Sequence, residues 1–121
     1  MFKEFARVKQ EAGDGRRRWF DDDGMELIVW LDAADQPRGF QLCYQGAGRQ
    51  EHALTWRAPG GFAHNRVLSG DSRPDKNQTP ILVPDGVVPW AQLRREFAAR
   101  SGALEPALRE FITTRLAEGE P

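Results

Sequence analysis

The sequence contains a single cysteine, Cys43, so the chain cannot form an internal disulfide bond. Its fold must be stabilised by packing, which suits a reducing compartment. The chain also has no apolar run near the ~20 residues that a bilayer-spanning helix needs. Lys3, Glu4 and Arg7 place charges where a secretory signal peptide requires a continuous apolar stretch. These absences predict a cytoplasmic protein without a membrane partner.

An excess of charge of either sign is also absent. The chain has 17 lysine and arginine residues against 18 aspartate and glutamate residues, and its net charge is -1. Proteins that bind nucleic acid through a basic surface usually carry a marked positive excess. One local exception is the cationic and aromatic run at residues 16–20. In a strand, Arg17 and Trp19 lie on the opposite face from Arg16 and Arg18, which divides the charge. Nucleic acid is therefore disfavoured as a partner.

Familiar catalytic and metal-binding motifs are absent as well. His52 and His64 are the two histidines, and their separation matches none of the usual zinc-ligand spacings. A metal would need these histidines together with carboxylates such as Asp71 or Asp75. The glycine-rich stretches lack the spacing of a phosphate-binding loop, and no serine lies in a Gly-x-Ser-x-Gly turn. The sequence therefore predicts no metal and no cofactor, and it argues against an enzyme.

Apolar and aromatic residues, by contrast, are plentiful. The 121 residues include four tryptophans and seven phenylalanines, and 40% of the chain is hydrophobic. A domain of this size buries roughly two thirds of the surface that its unfolded chain exposes. The composition predicts one domain over residues 1–121, with a sheet-forming part at residues 1–83 and a helical part at residues 84–121.

Two runs rich in β-branched and aromatic residues predict a central β-hairpin. They are residues 25–31 and 40–44, joined by a polar turn at residues 32–37. The pairing register of this hairpin stays open, because both faces of the first run are apolar. Residues 2–12 fit a helix, but a strand over residues 5–10 is preferred because Gly13 and Gly15 follow as a turn. Other predicted strands are residues 16–20 (ended by the acidic residues 21–24), 51–57, 62–68 and 79–83.

The side-chain pattern does select a register between the second strand of the hairpin and the strand predicted at residues 51–57. Placing Leu54 and Trp56 on the face of Leu42 and Phe40 requires Leu42 opposite Leu54 and Phe40 opposite Trp56. Cross-strand pairs of this kind contribute about 0.2–1 kcal/mol each. We therefore predict this register for residues 40–44 and 51–57.

The same register decides whether Cys43 and His52 form a catalytic pair. A nucleophilic cysteine needs an imidazole within hydrogen-bond reach. With Tyr44 facing His52 and Cys43 facing Ala53, the thiol and the imidazole lie on opposite faces of the sheet. Cys43 is therefore interpreted as a small core residue, and no catalytic residue is predicted.

The last part of the chain has the periodicity of two amphipathic helices. Trp90, Leu93 and Phe97 form an apolar stripe that follows Pro89 and ends before Ser101. A second helix begins at Pro106, and its apolar face is formed by Leu108, Phe111, Ile112 and Leu116. Strands followed by helices predict an α+β fold, with a mostly antiparallel β-meander sheet followed by two C-terminal helices packed on it.

A candidate ligand site lies within residues 56–75, where polar and aromatic side chains surround a glycine-broken backbone. Arg57 and Arg66 would hold a carboxylate or phosphate, and Trp56 would form an apolar wall. His64 would line the same pocket. A solvated loop whose arginines pair with nearby aspartates is the simpler interpretation of these residues.

Four stretches together resemble a group of small bacterial proteins of unassigned function. They are RRRWF at residues 16–20, GFQLCY at 39–44, ALTWR at 53–57 and TPILV at 79–83. The resemblance spans most of the chain between residues 16 and 83. It implies a stand-alone bacterial domain rather than a fragment of a larger enzyme, and it implies no activity, ligand or catalytic residue.

Two functions follow as hypotheses. The aromatic-rich sheet and the lack of catalytic motifs favour a non-catalytic module that binds a protein partner, or forms a homodimer, through a strand edge or an apolar face. The alternative is a small-molecule binding protein or minor enzyme that holds an anionic ligand near Trp56, Arg57, His64 and Arg66. A closed cavity of a few hundred Å³ would favour the pocket, and a filled core would favour the interaction module.

Overall fold

The computed structural model describes residues 1–6, 16–45, 50–67, 82–84 and 86–120. Within these residues, seven antiparallel strands form one sheet whose spatial order equals the order along the chain. Two helices follow the last strand. A sheet with this order is a meander, because every strand pairs with the one before it. The predicted α+β fold, an antiparallel meander followed by two helices, is therefore confirmed.

The strands and helices are numbered in chain order. The strands are β1 (Lys3–Glu4), β2 (Arg16–Asp22), β3 (Met25–Leu31), β4 (Pro37–Gln45), β5 (Glu51–Arg57), β6 (Phe62–Val67) and β7 (Leu82–Pro84). The helices are α1 (Trp90–Arg100) and α2 (Pro106–Gly119), joined through a short 3₁₀ turn at Ser101–Ala103. Within the described residues, no helix is both long enough and apolar enough to cross a membrane.

The central hairpin consists of β3 and β4, and its register places Leu27 opposite Leu42 and Val29 opposite Phe40. The backbone amides of Ala34 and Gln36 both donate to the carboxylate of Asp32, at 2.8 and 3.0 Å. A side chain that accepts local amide hydrogen bonds in this way stabilises a turn. The β4–β5 register pairs Leu42 with Leu54 and Phe40 with Trp56, so the register predicted from the side-chain pattern is confirmed.

The predicted end of β2 was too early. The strand continues through Asp21 and Asp22, which pair with Glu26 and Met25, and the turn itself contains only Asp23 and Gly24. Asp22 lies 3.5 Å from Arg100 of α1, and this ion pair offsets its charge.

For the first and last strands of the sheet, the structure describes only part of the predicted residues. The two-residue strand β1 pairs with β2 and ends before the strand predicted over residues 5–10. Phe5 and Ala6 are not in a strand, and the rest of that predicted strand lies outside the described residues, as does the turn at Gly13. Strand β7 begins at Leu82, and residues 79–81 of the predicted last strand also lie outside them.

One face of the sheet, here called the inner face, packs against both helices. Alternate residues of β3, β4 and β5 point to this face, including Leu27, Leu42 and Leu54, and all three are fully buried. They belong to one hydrophobic core with the helix residues Leu93, Phe97, Leu108, Ile112 and Leu116, and with Leu104 from the connection between the helices. The four-residue spacing of Leu108, Ile112 and Leu116 places them on one side of α2, which explains why that side is buried.

The two helices run antiparallel across the strands. At its start α2 is held to β2, where Arg18 contacts Glu105 at 2.8 Å. Its middle lies over β4, where the Phe111 and Phe40 rings are 6.3 Å apart. At the other end, Gly119 lies close to Trp90, the first residue of α1. The helices therefore lie side by side on the inner face, and α2 runs in the opposite direction to α1.

Arg18 joins three elements through its guanidinium group. It donates to Glu4 of β1 at 2.7 Å and to Glu105, the residue before α2, at 2.8 Å. The hydrogen bonds from Arg18 hold the pKa of the Glu105 carboxyl below its ordinary value. The Glu105 side chain is 58% exposed, so solvent weakens the pair.

We expect Arg18→Gln to lower the free energy of unfolding by about 0.5–1 kcal/mol at neutral pH. Because the pKa of Glu105 is lower in the folded chain, its contribution is present above the unfolded pKa of about 4.3 and is lost as the pH falls through the folded pKa. The difference between the wild type and the variant should therefore shrink below about pH 4, as measured by urea denaturation at several pH values. A difference that stays constant down to pH 3 would contradict this role.

Candidate functional site

The four residues predicted to bind a ligand do not lie on one face of the sheet. In the β5–β6 pair, Leu54 is opposite His64 and His52 is opposite Arg66. Trp56, His64 and Arg66 therefore share the inner face. Arg57 follows Trp56 directly and points to the other side, here called the outer face. The structure thus separates Arg57 from the other three residues, and a common ligand-binding role for the four stays a prediction.

Trp56 belongs to the packed core and is only 8% exposed. Its ring stacks on Phe40 at 6.3 Å and meets the edge of Phe111 at 5.4 Å. The Arg115 guanidinium of α2 lies 5.6 Å from the same ring. These contacts join β4, β5 and α2, and they leave little of the indole surface open to a ligand.

His64 is held by hydrogen bonds at both ring nitrogens. Its Nδ1 lies 3.2 Å from the Gly86 carbonyl oxygen, and its Nε2 contacts the hydroxyl of Tyr44. A carbonyl oxygen can only accept, so Nδ1 is the donor in the hydrogen bond to Gly86. His64 therefore joins β6 both to β4 and to the segment that precedes α1.

Tyr44, His52 and His64 form a stacked cluster that the sequence interpretation did not assemble. The ring centroids of Tyr44 and His52 are 5.3 Å apart, and those of His52 and His64 are 5.7 Å apart. These are the only tyrosine and both histidines of the chain. The predicted register already placed Tyr44 opposite His52, so two of the three residues were predicted to be neighbours. The β5–β6 register was the missing step.

On the outer face, the guanidinium group of Arg57 lies over an aromatic ring. Its guanidinium carbon is 4.1 Å from the ring centroid of Trp30, close enough for a cation–π contact. Between them in the sheet is Gly39, which pairs with both Trp30 and Arg57. A β-carbon at residue 39 would lie 3.3 Å from Arg57 and 3.4 Å from Trp30. Glycine at this position therefore lets Arg57 reach Trp30.

Cys43 lies on the outer face, opposite Ala53, while His52 is on the inner face. The predicted separation of the thiol from the imidazole is therefore confirmed. Cys43 is 3% exposed, and burial raises the pKa of its thiol to about 12, although a hydrogen bond from Gln41 acts in the other direction. At neutral pH the sulfur is protonated, which is the unreactive form.

We expect Cys43 of the folded chain to react with a disulfide reagent such as Ellman's reagent at least about a hundredfold more slowly than in the urea-unfolded chain. The folded thiol is buried and its pKa is raised, whereas an unfolded thiol has a pKa near 8.5. Absorbance at pH 8 with and without urea measures both rates. Similar rates in the two states would show that the thiol is accessible in the folded protein.

Three side chains around Cys43 could approach one metal ion. Donor atoms of Glu26, Cys43 and Glu51 lie within 4.8 Å of one another. The neighbouring carboxylates help to raise the pKa of the thiol, and a protonated thiol is a poor ligand. Of the metal ligands considered from the sequence, His64 uses both ring nitrogens in hydrogen bonds, and Asp71 and Asp75 lie outside the described residues.

A groove lies between α1 and α2. Its cavity volume is about 370 Å³, and the described residues that line it are Ala91, Arg94, Arg95, Phe97, Ala98, Thr113 and Leu116. Phe97 and Leu116 are the most deeply buried of these residues. Ala91 and Ala98 have small side chains and are exposed, so the groove is open to solvent.

The groove side of α1 follows helical spacing. Ala91, Arg94, Arg95 and Ala98 stand at i, i+3, i+4 and i+7, so they form one stripe. Arg94 forms an ion pair with Glu120 after α2. Arg95 is exposed, and it has no ion pair within the part of the chain that the structure describes. The groove therefore combines an apolar floor with a basic rim.

Comparison of the chain with protein-family models, with curated proteins and with solved structures finds no match in any of the three.

Proposed function

We propose that the protein is a non-catalytic interaction module, and that the groove between α1 and α2 receives apolar side chains of a protein partner. The observation that carries the proposal is the open groove of about 370 Å³ with its floor at Phe97 and Leu116. Grooves between helices are common docking sites for partner helices. The two small residues Ala91 and Ala98 leave room for such an approach.

The other surfaces considered from the sequence offer less to a partner. On the outer face, Trp19, Ile28 and Trp30 form an apolar cluster, but each is only 5–7% exposed. The strands at the ends of the described sheet, β1 and β7, contain two and three residues. Short edge strands are poor templates for strand addition. The groove is therefore the best-supported docking surface.

The reactive side chains also support a non-catalytic role. The thiol of Cys43 is buried and protonated, and both ring nitrogens of His64 are engaged. The residues on the inner face around Phe40 fill the core, with Leu42 and Leu54 fully buried. A small-molecule site is usually an enclosed pocket that buries most of its ligand, and a filled core does not provide one.

The proposal can be tested with Ala98→Trp, which places a large ring in the groove. The anionic aromatic dye 1-anilinonaphthalene-8-sulfonate serves as the probe, because it carries both an apolar body and a negative charge. We expect wild-type protein to enhance the dye fluorescence and Ala98→Trp to remove most of the enhancement. The matched control is Ala99→Trp, since Ala99 is exposed on α1 but does not line the groove.

Near-UV circular dichroism verifies that both variants retain native packing. Equal dye fluorescence for the wild type and both variants would place the dye elsewhere and would overturn the proposed site. Sedimentation velocity of the same proteins tests self-association. A dimer that Ala98→Trp dissociates and Ala99→Trp preserves would identify the occupant of the groove as a second copy of the chain.

A further inference from the structure

We infer that the occupant of the groove is an acidic amphipathic helix of a partner protein. This inference rests on the proposed function, because it names the chemistry of the partner that the groove would bind. It follows from two independent features of the groove, which are the charge of its rim and the spacing of its small residues.

The charge of the rim favours a negatively charged partner. The described lining residues include Arg94 and Arg95 and no carboxylate. Arg94 is partly neutralised by Glu120, whereas Arg95 has no ion pair within the described residues. A docked segment that places a carboxylate beside Arg95 would form a charge-assisted hydrogen bond at this rim. A segment with a lysine at the same place would meet like charge.

The shape of the groove favours a helix. Ala91 and Ala98 are separated by seven residues of α1, which is about two turns or 10.5 Å. A third helix aligned with α1 presents its own apolar residues with the same period. Its apolar side chains would lie over Ala91 and Ala98, and its acidic flank would lie beside Arg95. Helix-in-groove recognition uses anchors at this spacing.

The helices of a second copy lack the required charge. Arg94, Arg95 and Arg100 outnumber Glu96 on α1, so two copies of this helix would repel each other. On α2, Arg109 and Arg115 balance Glu110 and Glu118. Neither described helix is acidic, so charge complementarity favours a different protein over a homodimer.

Two synthetic peptides of about 18 residues provide the probe, a length above the ~12–15 residues below which isolated helices are marginal. Both carry leucines at i, i+3, i+4 and i+7, with glutamates on the flanks of one peptide and lysines on the flanks of the other. Fluorescence anisotropy of the labelled peptides measures binding to the full chain. We expect the glutamate peptide to bind at least about tenfold more tightly than the lysine peptide at low salt.

Two charge-reversal variants locate the effect. Arg95→Glu should weaken binding of the glutamate peptide and strengthen binding of the lysine peptide. Arg16→Glu makes the same change at an exposed position of β2 that does not line the groove, and it should leave the preference unchanged. Ala98→Trp should remove binding of the glutamate peptide.

The possible failures are distinguishable. If the two peptides bind equally and Ala98→Trp removes both, the groove binds helices but the acidic partner class is wrong. If neither peptide binds, or if Ala98→Trp leaves binding intact, the groove is not a helix-docking site and both proposals are overturned. If Arg16→Glu alters the preference as strongly as Arg95→Glu, general charge rather than the groove rim explains it, and the inference also fails.

Discussion

Replacing Phe40 with alanine should lower the free energy of unfolding by about 3–5 kcal/mol. Phe40 is fully buried in the middle of β4. Its ring lies 6.3 Å from each of the rings of Trp56, Phe62 and Phe111, which belong to β5, β6 and α2. Removing it leaves a cavity between the sheet and α2, and three aromatic side chains lose a packing partner. Urea denaturation followed by circular dichroism measures the loss.

Phe5→Ala is the matched control for Phe40→Ala. Phe5 is 36% exposed and lies outside the hydrophobic core, so its removal opens no comparable cavity. We expect this variant to lose less than about 1.5 kcal/mol. If Phe40→Ala were no more destabilising than Phe5→Ala, the central position of Phe40 in the core would be wrong.

Replacing Gly39 with alanine should cost about 1–3 kcal/mol, the usual range for a side chain forced into a filled space. A β-carbon built at residue 39 lies only 2.8 Å from the carbonyl oxygen of Trp56 in the neighbouring strand. Because that atom belongs to the backbone of β5, relief of the clash requires a shift of one strand relative to the other. The same methyl group would also push Arg57 away from Trp30.

Gly86→Ala is the control for this substitution, because a β-carbon at residue 86 meets no atom within 4 Å. We expect its free energy of unfolding to lie within about 0.5 kcal/mol of the wild-type value. Thermal and urea denaturation of both variants provide the comparison. Equal stability of the two variants would show that β4 and β5 are not packed as closely at Gly39 as the structure indicates.

Much of the fold was predictable because its elements repeat with a local period. The alternation in β4 and β5 selected one register, in which Leu42 faces Leu54 and Cys43 faces Ala53. That register alone excluded a Cys43–His52 pair. Each helix begins within one residue of its predicted start, since Pro89 and Pro106 mark the first turns and the apolar stripes continue from them.

The candidate site was less predictable. Arg57 was grouped with His64 and Arg66 because the three residues are close in sequence. However, adjacent strand residues point to opposite faces, so Arg57 is separated from Trp56. The β5–β6 register then places His64 on the face of Trp56. The glycine-rich break at residues 58–61 gives no periodic pattern from which that register could be derived. The groove was not predicted either. Two alanines on one helix do not indicate a groove, because it forms only where α1 and α2 pack side by side.

The sequence by itself determined the order of the central strands and the two helices, which residues of these elements are apolar, and how β4 pairs with β5. These properties depend on side chains within a few residues of one another or directly opposite across a turn. Only the tertiary structure decided that Arg57 covers Trp30, that His64 joins Tyr44, and that α1 and α2 leave a groove with a basic rim. These arrangements depend on contacts between distant residues, such as the close approach of Gly119 to Trp90, and their geometry follows from packing the whole chain at once.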